Sequence, residues 1–180
     1  MGTDIQKYFV WSINALMPTD PHYADIYLTN HREAIKRAAD NLLHEINFIP
    51  ATIYRGILLK EKVETIKPHN NFKYLSFSES KEVAEHFANV NGFGSDIVNL
   101  QTQLGTHGYI IEYKPELTEV IFHYRFLSIL PYANAFNSVG LDANKELEGL
   151  ERQKEITIFQ PAHPFTKVKK LSVKTFTGIV

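Results

Sequence analysis

The chain has 180 residues and a mass of 20.7 kDa, with 44% hydrophobic and 22% charged residues, no cysteine, and Lys+Arg 19 against Asp+Glu 20 for a net charge of -1. At this length one domain over residues 1–180 is expected, burying about 70% of the unfolded surface without staples. The composition excludes extended disorder, disulfide scaffolds, thiolate metal sites and cysteine nucleophiles, and the near-zero charge gives no global field toward nucleic acid or anionic membrane.

No apolar run approaches the roughly 18 residues of a membrane span, and the first residues lack the basic start, apolar core and small-residue cleavage site of a signal peptide. The expectation is a soluble protein with no membrane partner. It would be cytoplasmic, or delivered into a target cell by a route that needs no signal peptide.

Thr3 and Gln6 have the spacing of a capping box, and Ile5, Phe9, Ile13 and Leu16 follow at helical spacing. Pro18 and Pro21 are expected to end that helix. Asn30 and Glu33 suggest a second box. Beyond it Ile35, Ala38, Leu42 and Ile46 form one apolar stripe, with Lys36, Arg37, Asp40 and His44 outside it and Pro50 as the stop. Residues 1–50 thus read as a helical leading part and 51–180 as a strand-rich body. Strands are expected over 51–59, 72–78, 109–113, 119–124, 155–160 and 168–176. Ser80 reads as the N-cap of a short helix over 81–90, its inner face Val83, Ala84, Phe87 and Ala88. Residues 89–107, with Gly92, Gly94 and Gly105, read as a long loop, and 134–150 as a polar connection holding one helical turn at most. The class is α+β.

The eight histidines show no metal-ligand spacing, and the nucleophile-elbow, phosphate-loop and dinucleotide motifs are absent. Three features remain. Arg55 interrupts the apolar strand Ile53-Tyr54-Arg55-Gly56-Ile57, on one face with Ile53, Ile57 and Leu59. A guanidinium there must reach an anion or solvent, and Gly56 permits a close approach by a backbone or ligand. The ordinary alternative is an internally paired or snorkelling arginine. Ser76 and Ser78 share one face of a strand, Leu75 and Phe77 the other, and two hydroxyls on one face can hold a carboxylate or ribose. The ordinary alternative is a serine-rich strand end with an N-cap. In the third, strand alternation over Glu151–Ile158 would put Glu151, Gln153 and Glu155 on one face and Ile156 and Ile158 in the core. The alternative is a solvated strand beginning.

Taken together, Tyr54-Arg55-Gly56, then Ser76-Phe77-Ser78 followed by Val83-Ala84 and Phe87-Ala88, then Gln153-Lys154-Glu155-Ile156, resemble the three motifs of the Arg-Ser-Glu, cholera-toxin-like mono-ADP-ribosyltransferases. The resemblance runs from about Ala51 to the C-terminus. Phe77 stands where the family usually has Thr, and Gln153 where many members have Glu. The resemblance implies N-terminal helices packed on a split two-sheet core. It also implies a reaction that breaks the nicotinamide–ribose bond of NAD and moves ADP-ribose to a macromolecular acceptor. Glu155 would stabilise the oxocarbenium-like transition state. Arg55, flanked by Tyr54 and Gly56, would meet the diphosphate. Ser76 would hold Glu155, Ser78 would support the same strand edge, and Phe93 in the loop would stack on nicotinamide. No metal is required.

Gln153 cannot deprotonate a guanidinium, so the resemblance points away from arginine and toward a nucleobase or a protein asparagine. Leu147-Glu148-Gly149-Leu150 lacks the aromatic that Rho-modifying relatives carry, which weighs against asparagine. Glu151 is a carboxylate that could act in place of a glutamate at 153. Lys167, Lys169, Lys170 and Lys174 form a basic cluster able to meet phosphates, or simply a solvated face. A cytoplasmic enzyme of this kind would call for a cognate inhibitor or antitoxin. The rival readings are an NAD glycohydrolase, a catalytically inactive interaction domain on the same fold, and a nucleic-acid-binding module, the last opposed by the net charge.

Overall fold

Two helices form from the first fifty residues, α1 over Thr3–Leu16 and α2 over Pro21–Glu45, in the computed structural model, which describes residues 2–16, 21–66, 73–88, 107–159, 161 and 164–171. The expected box at Thr3 is not the cap, because Thr3 is already helical and the Gln6 N–H bonds to the Gly2 carbonyl at 3.2 Å. The buried face of α1 is Tyr8, Trp11 and Ser12, one position away from the expected stripe, whose members are half-buried. The larger rings take the core because they remove more apolar surface from water. Pro21 opens α2, where its missing N–H costs nothing, and Asn30 lies within it at a kink where His31 has φ -125 and ψ 20. Beyond the kink the stripe holds, with Ile35, Ala38, Leu42 and Ile46 all under a tenth exposed.

The remaining elements are β1 (Ile53–Leu59), β2 (Tyr74–Ser78), α3 (Lys81–Ala88), β3 (His107–Tyr113), β4 (Val120–His123), α4 (Tyr132–Ser138), α5 (Ala143–Gln153), β5 (Glu155–Phe159) and β6 (Val168–Leu171). The class is α+β. Two expectations are corrected. Residues 134–150 are not a connection but carry most of two helices. Asp142 caps α5 by accepting the Asn144 and Lys145 N–H groups at 3.1 and 3.3 Å, and an Arg152–Glu148 pair follows one turn apart. The strand expected from Glu119 starts at Val120, after a 3-10 turn over Leu117–Glu119, and carries an irregularity between Val120 and Phe122.

The chain divides into two compact units. The first takes Met1–Pro50, His69–Ser76 and Pro115–Gln160, the second Ala51–Pro68, Phe77–Lys114 and Pro161–Val180. In the first, α1 packs on α2, α2 on β4 and α4 on α5, and the strand order is β4-β5-β2. Its core holds an aromatic cluster. Tyr8 meets Trp11 and Phe126 edge-on, and the Tyr132 hydroxyl donates to Ser12 Oγ at 2.8 Å, which donates to the Phe9 carbonyl. Burial pushes the Tyr8 and Tyr132 phenols far up. Buried His123 keeps Nδ1 as an acceptor for the Arg125 N–H at 3.1 Å.

In the second unit the order is β2-β1-β3-β6, and every register described is antiparallel, with Tyr54 opposite Ser78 on one side of β1 and Glu112 on the other. α3 lies on β1 and β3, where Ala84, Ala88 and Ile110 form a core against which Tyr54 packs. Gly56 makes this possible. A Cβ there would fall 1.8 Å from the Ala84 carbonyl oxygen and 2.8 Å from the Ala88 nitrogen.

Gly56→Ala should therefore force α3 off β1 and destabilise the fold by about 1–3 kcal/mol, lowering the melting midpoint by roughly 3–10 °C in a circular dichroism melt. A second expectation concerns alkaline pH. Unfolded tyrosine ionises near 10, whereas folded Tyr8 and Tyr132 hold their protons well above it. Their contribution is complete below pH ~10 and is lost as the pH rises further. Tyrosinate absorbance followed alongside unfolding should show a late-ionising fraction that titrates only as the fold is lost.

Candidate functional site

The strand β5 is built from Glu155-Ile156-Thr157-Ile158-Phe159, whose β-branched residues suit a pleated surface buried on both sides. Ile156, Thr157 and Ile158 are 1, 3 and 0% exposed, and Glu155, at the first position, is half-buried. The strand does not extend back to Glu151 as the alternation predicts. Residues 151–153 are the last turn of α5, and Lys154, with φ 47 in the left-handed region, turns the chain out of the helix and into the strand. Gln153 and Glu155 therefore do not share a strand face. Helix formers with a capping aspartate outweigh a polar alternation that is only three positions long. Glu151 and Gln153 are exposed on the helix end.

Ser76 and Glu155, 79 positions apart, do meet. The Ser76 Oγ donates to Glu155 Oε1 at 2.7 Å. The Thr157 Oγ1 donates to the same oxygen at 3.0 Å. Side chains two residues apart share a strand face, so Thr157 follows Glu155 and Tyr74 precedes Ser76 on theirs. Two hydroxyl donors on one carboxylate oxygen fix its rotamer. Tyr74 is half-buried, its ring edge-on to Trp11 at 5.8 Å between centroids. Burial pushes its phenol up to about 12, and the charges of Asp25 and Glu155 push the same way. Asp25, on α2, accepts the Lys73 N–H just ahead of β2.

The other expected residues fall elsewhere. Ser78 is 5% exposed, and its Oγ accepts the Ser80 N–H at 2.9 Å while Ser80 Oγ accepts the Val83 N–H at 3.4 Å. The two serines thus cap the corner from β2 into α3, and Ser78 has a local structural task. Tyr54, Arg55 and Gly56 are on β1 in the second unit. Tyr54 packs toward α3, with the Lys81 Nζ 6.0 Å from its ring centroid, and Gly56 is pressed to the α3 backbone, so the close approach it permits is that of a helix. Arg55, half-buried, is by alternation on the opposite face of β1 from α3. Phe93 and the rest of the glycine-rich stretch over 89–106 lie outside the described residues, as does Lys174, while Lys167, Lys169 and Lys170 are exposed.

Three residues escaped the sequence reading. Thr157 was signalled by the Glu-x-Thr spacing at the start of an apolar strand. Tyr74 was signalled by its place two residues before Ser76. Asp25 carried no local signal, since its strand contact is long-range. Among the described residues no group of three or more His, Asp or Glu side chains is arranged to hold a metal ion, and no helix is long and apolar enough to cross a membrane. Comparison with protein-family models, with characterised proteins and with solved structures returns no match to this chain.

Ser76→Ala should cost about 1–2 kcal/mol, as expected for a hydrogen bond to a partly exposed carboxylate. In a Glu155→Ala background the loss should fall by at least half, because the acceptor is gone. Urea unfolding of the four proteins of this cycle measures both.

Proposed function

We propose that this chain is an NAD-dependent mono-ADP-ribosyltransferase, which moves ADP-ribose from NAD to a macromolecular acceptor and releases nicotinamide. The observation that carries the reading is the 2.7 Å hydrogen bond between Ser76 and Glu155. The resemblance assigns these residue types this contact, and nothing in their local sequence demands it. The wider arrangement of that family, N-terminal helices on a split two-sheet core, belongs to the same proposal.

The chemistry supports the assignment. As the glycosidic bond lengthens, positive charge develops on the ribose, and a fixed carboxylate beside it lowers the barrier most when it need not reorient. Ser76 and Thr157 fix one oxygen of Glu155 in advance. Nicotinamide leaves with the bonding electron pair, so its departure needs no acid from the protein. Arg55 is proposed to pair with the diphosphate, where its forked donors match phosphate oxygens. Gln153, exposed at the end of α5, is proposed to meet the acceptor through its amide, which fits a nucleobase edge or an asparagine side chain and provides no base for arginine.

Purified protein should release nicotinamide and label a lysate component from labelled NAD. Glu155→Gln should lose about 10²–10³ of that rate with its fold intact by circular dichroism. Arg55→Lys should raise KM for NAD about tenfold with a smaller effect on kcat. Nuclease or protease removal of the label identifies the acceptor class. Labelled ADP-ribose appearing only in solution would mean that water is the acceptor. Failure to consume NAD with any lysate would overturn the proposal.

A further inference from the structure

The geometry points to Thr157 as a second positioning residue for Glu155: its hydroxyl, buried in β5, holds the carboxylate along its own strand while Ser76 holds it from the neighbouring one. This inference rests on the reading of Glu155 as the ribose-facing carboxylate, and it concerns a residue outside the three motifs that suggested that reading.

Thr157 is 3% exposed, between Ile156 and Ile158 at 1 and 0%, and is paired with Phe122 of β4. At such a position stability favours valine, which has nearly the same shape, the same preference for strands and no hydroxyl to desolvate. A buried threonine hydroxyl needs an acceptor, and here the acceptor is not a backbone carbonyl but Glu155 Oε1, at 3.0 Å. The packing of β5 thus gives no reason for a hydroxyl at 157, and the carboxylate does.

Ser76 alone would leave the orientation of Glu155 undetermined. One hydrogen bond sets the distance of an oxygen from its donor and lets the group swivel about that contact. Ser76 donates at 2.7 Å from β2, the neighbour of β5 in the sheet, whereas Thr157 donates from two positions further along β5 itself. Two positions on one strand face are about 7 Å apart, so the glutamate side chain lies along its strand to be reached. One donor across the strand and one along it hold the carboxylate in two directions. The donors also differ in stiffness. Serine can turn its hydroxyl among three rotamers, while threonine is β-branched and restricted at χ1. The Thr157 hydroxyl therefore meets Glu155 already oriented, whatever the alignment of β2 with β5.

The test combines steady-state NAD cleavage, thermal melting and NMR of the Glu155 side chain without NAD. Thr157→Val keeps the shape and removes the hydroxyl. Its melting midpoint should stay within about 3 °C of the wild type or rise, while kcat falls about tenfold and KM moves less than about twofold. Thr157→Ser keeps the hydroxyl and loses the buried methyl, so it should melt lower yet hold a kcat at least about threefold above that of Thr157→Val. Thr157→Ala also loses the methyl, so the serine and alanine variants isolate the hydroxyl even where valine is not tolerated. The three-bond couplings of Glu155 should report one side-chain rotamer in the wild type and Thr157→Ser, and averaging in Thr157→Val and Thr157→Ala. A merely structural threonine would make activity follow stability. That order, equal kcat in the serine and alanine variants, or couplings unmoved by loss of the hydroxyl overturns the inference. If the wild type never cleaves NAD yet the couplings change as stated, the transferase reading fails and the positioning stands. If cleavage depends on Glu155 but Thr157→Val is as active as the wild type, the positioning fails and the transferase reading stands.

Discussion

A carboxylate partly withdrawn from water is costly unless hydrogen bonds replace its hydration, and Glu155 is such a group. It starts a strand whose next residues are buried on both faces, so it cannot retreat into solvent without pulling apolar residues with it. Its partners come from two places, Thr157 on its own strand and Ser76 on β2. That requirement reaches outward. Ser76 needs β2 in one register, and β2 is pinned to α2 through Lys73 and Asp25 and sealed by the Tyr74–Trp11 contact to α1. The leading helices therefore serve the site as well as the core, by fixing the strand that satisfies the carboxylate.

The second unit is governed by a different constraint, the distance between a helix and a strand. At Gly56 the backbones of β1 and α3 approach so closely that no side chain fits. The small residues Ala84 and Ala88 on the facing side of α3 continue that fit. Ser78 and Ser80 then hold the turn that delivers α3 to it. In the proposed enzyme this close approach sets the height of α3 over the strand that carries Arg55, and alternation puts Arg55 on the other face.

Much of this architecture was legible in the sequence, because much of it depends on periodicity. The stripe from Ile35 to Ile46, the strand around Arg55 and the short helix after Ser80 are patterns of about seven to twelve residues, in which the local spacing dictates the type of element. The pairing of Ser76 with Glu155 was reachable only through the resemblance of three separated motifs. The failures share a cause. The buried face of α1 was misjudged because Tyr8 and Trp11 pack against Phe126 and Tyr74, residues far along the chain. The strand assigned to 151–154 is a helix end, because a short charged stretch satisfies both periods and only the cap at Asp142 and the left-handed Lys154 decide between them. Asp25 was invisible for the same reason, since it acts on a backbone group that only tertiary folding brings to it.

The Lys154 corner has one more implication. Residue 153 ends a solvent-facing helix and residue 155 opens a buried ladder, so the two neighbours answer to different selective pressures. In the proposed enzyme, the position that greets the acceptor and the carboxylate that meets the ribose are thus carried by two different elements, a helix end and a strand start. A single left-handed residue is the joint at which acceptor-facing and donor-facing surfaces would meet.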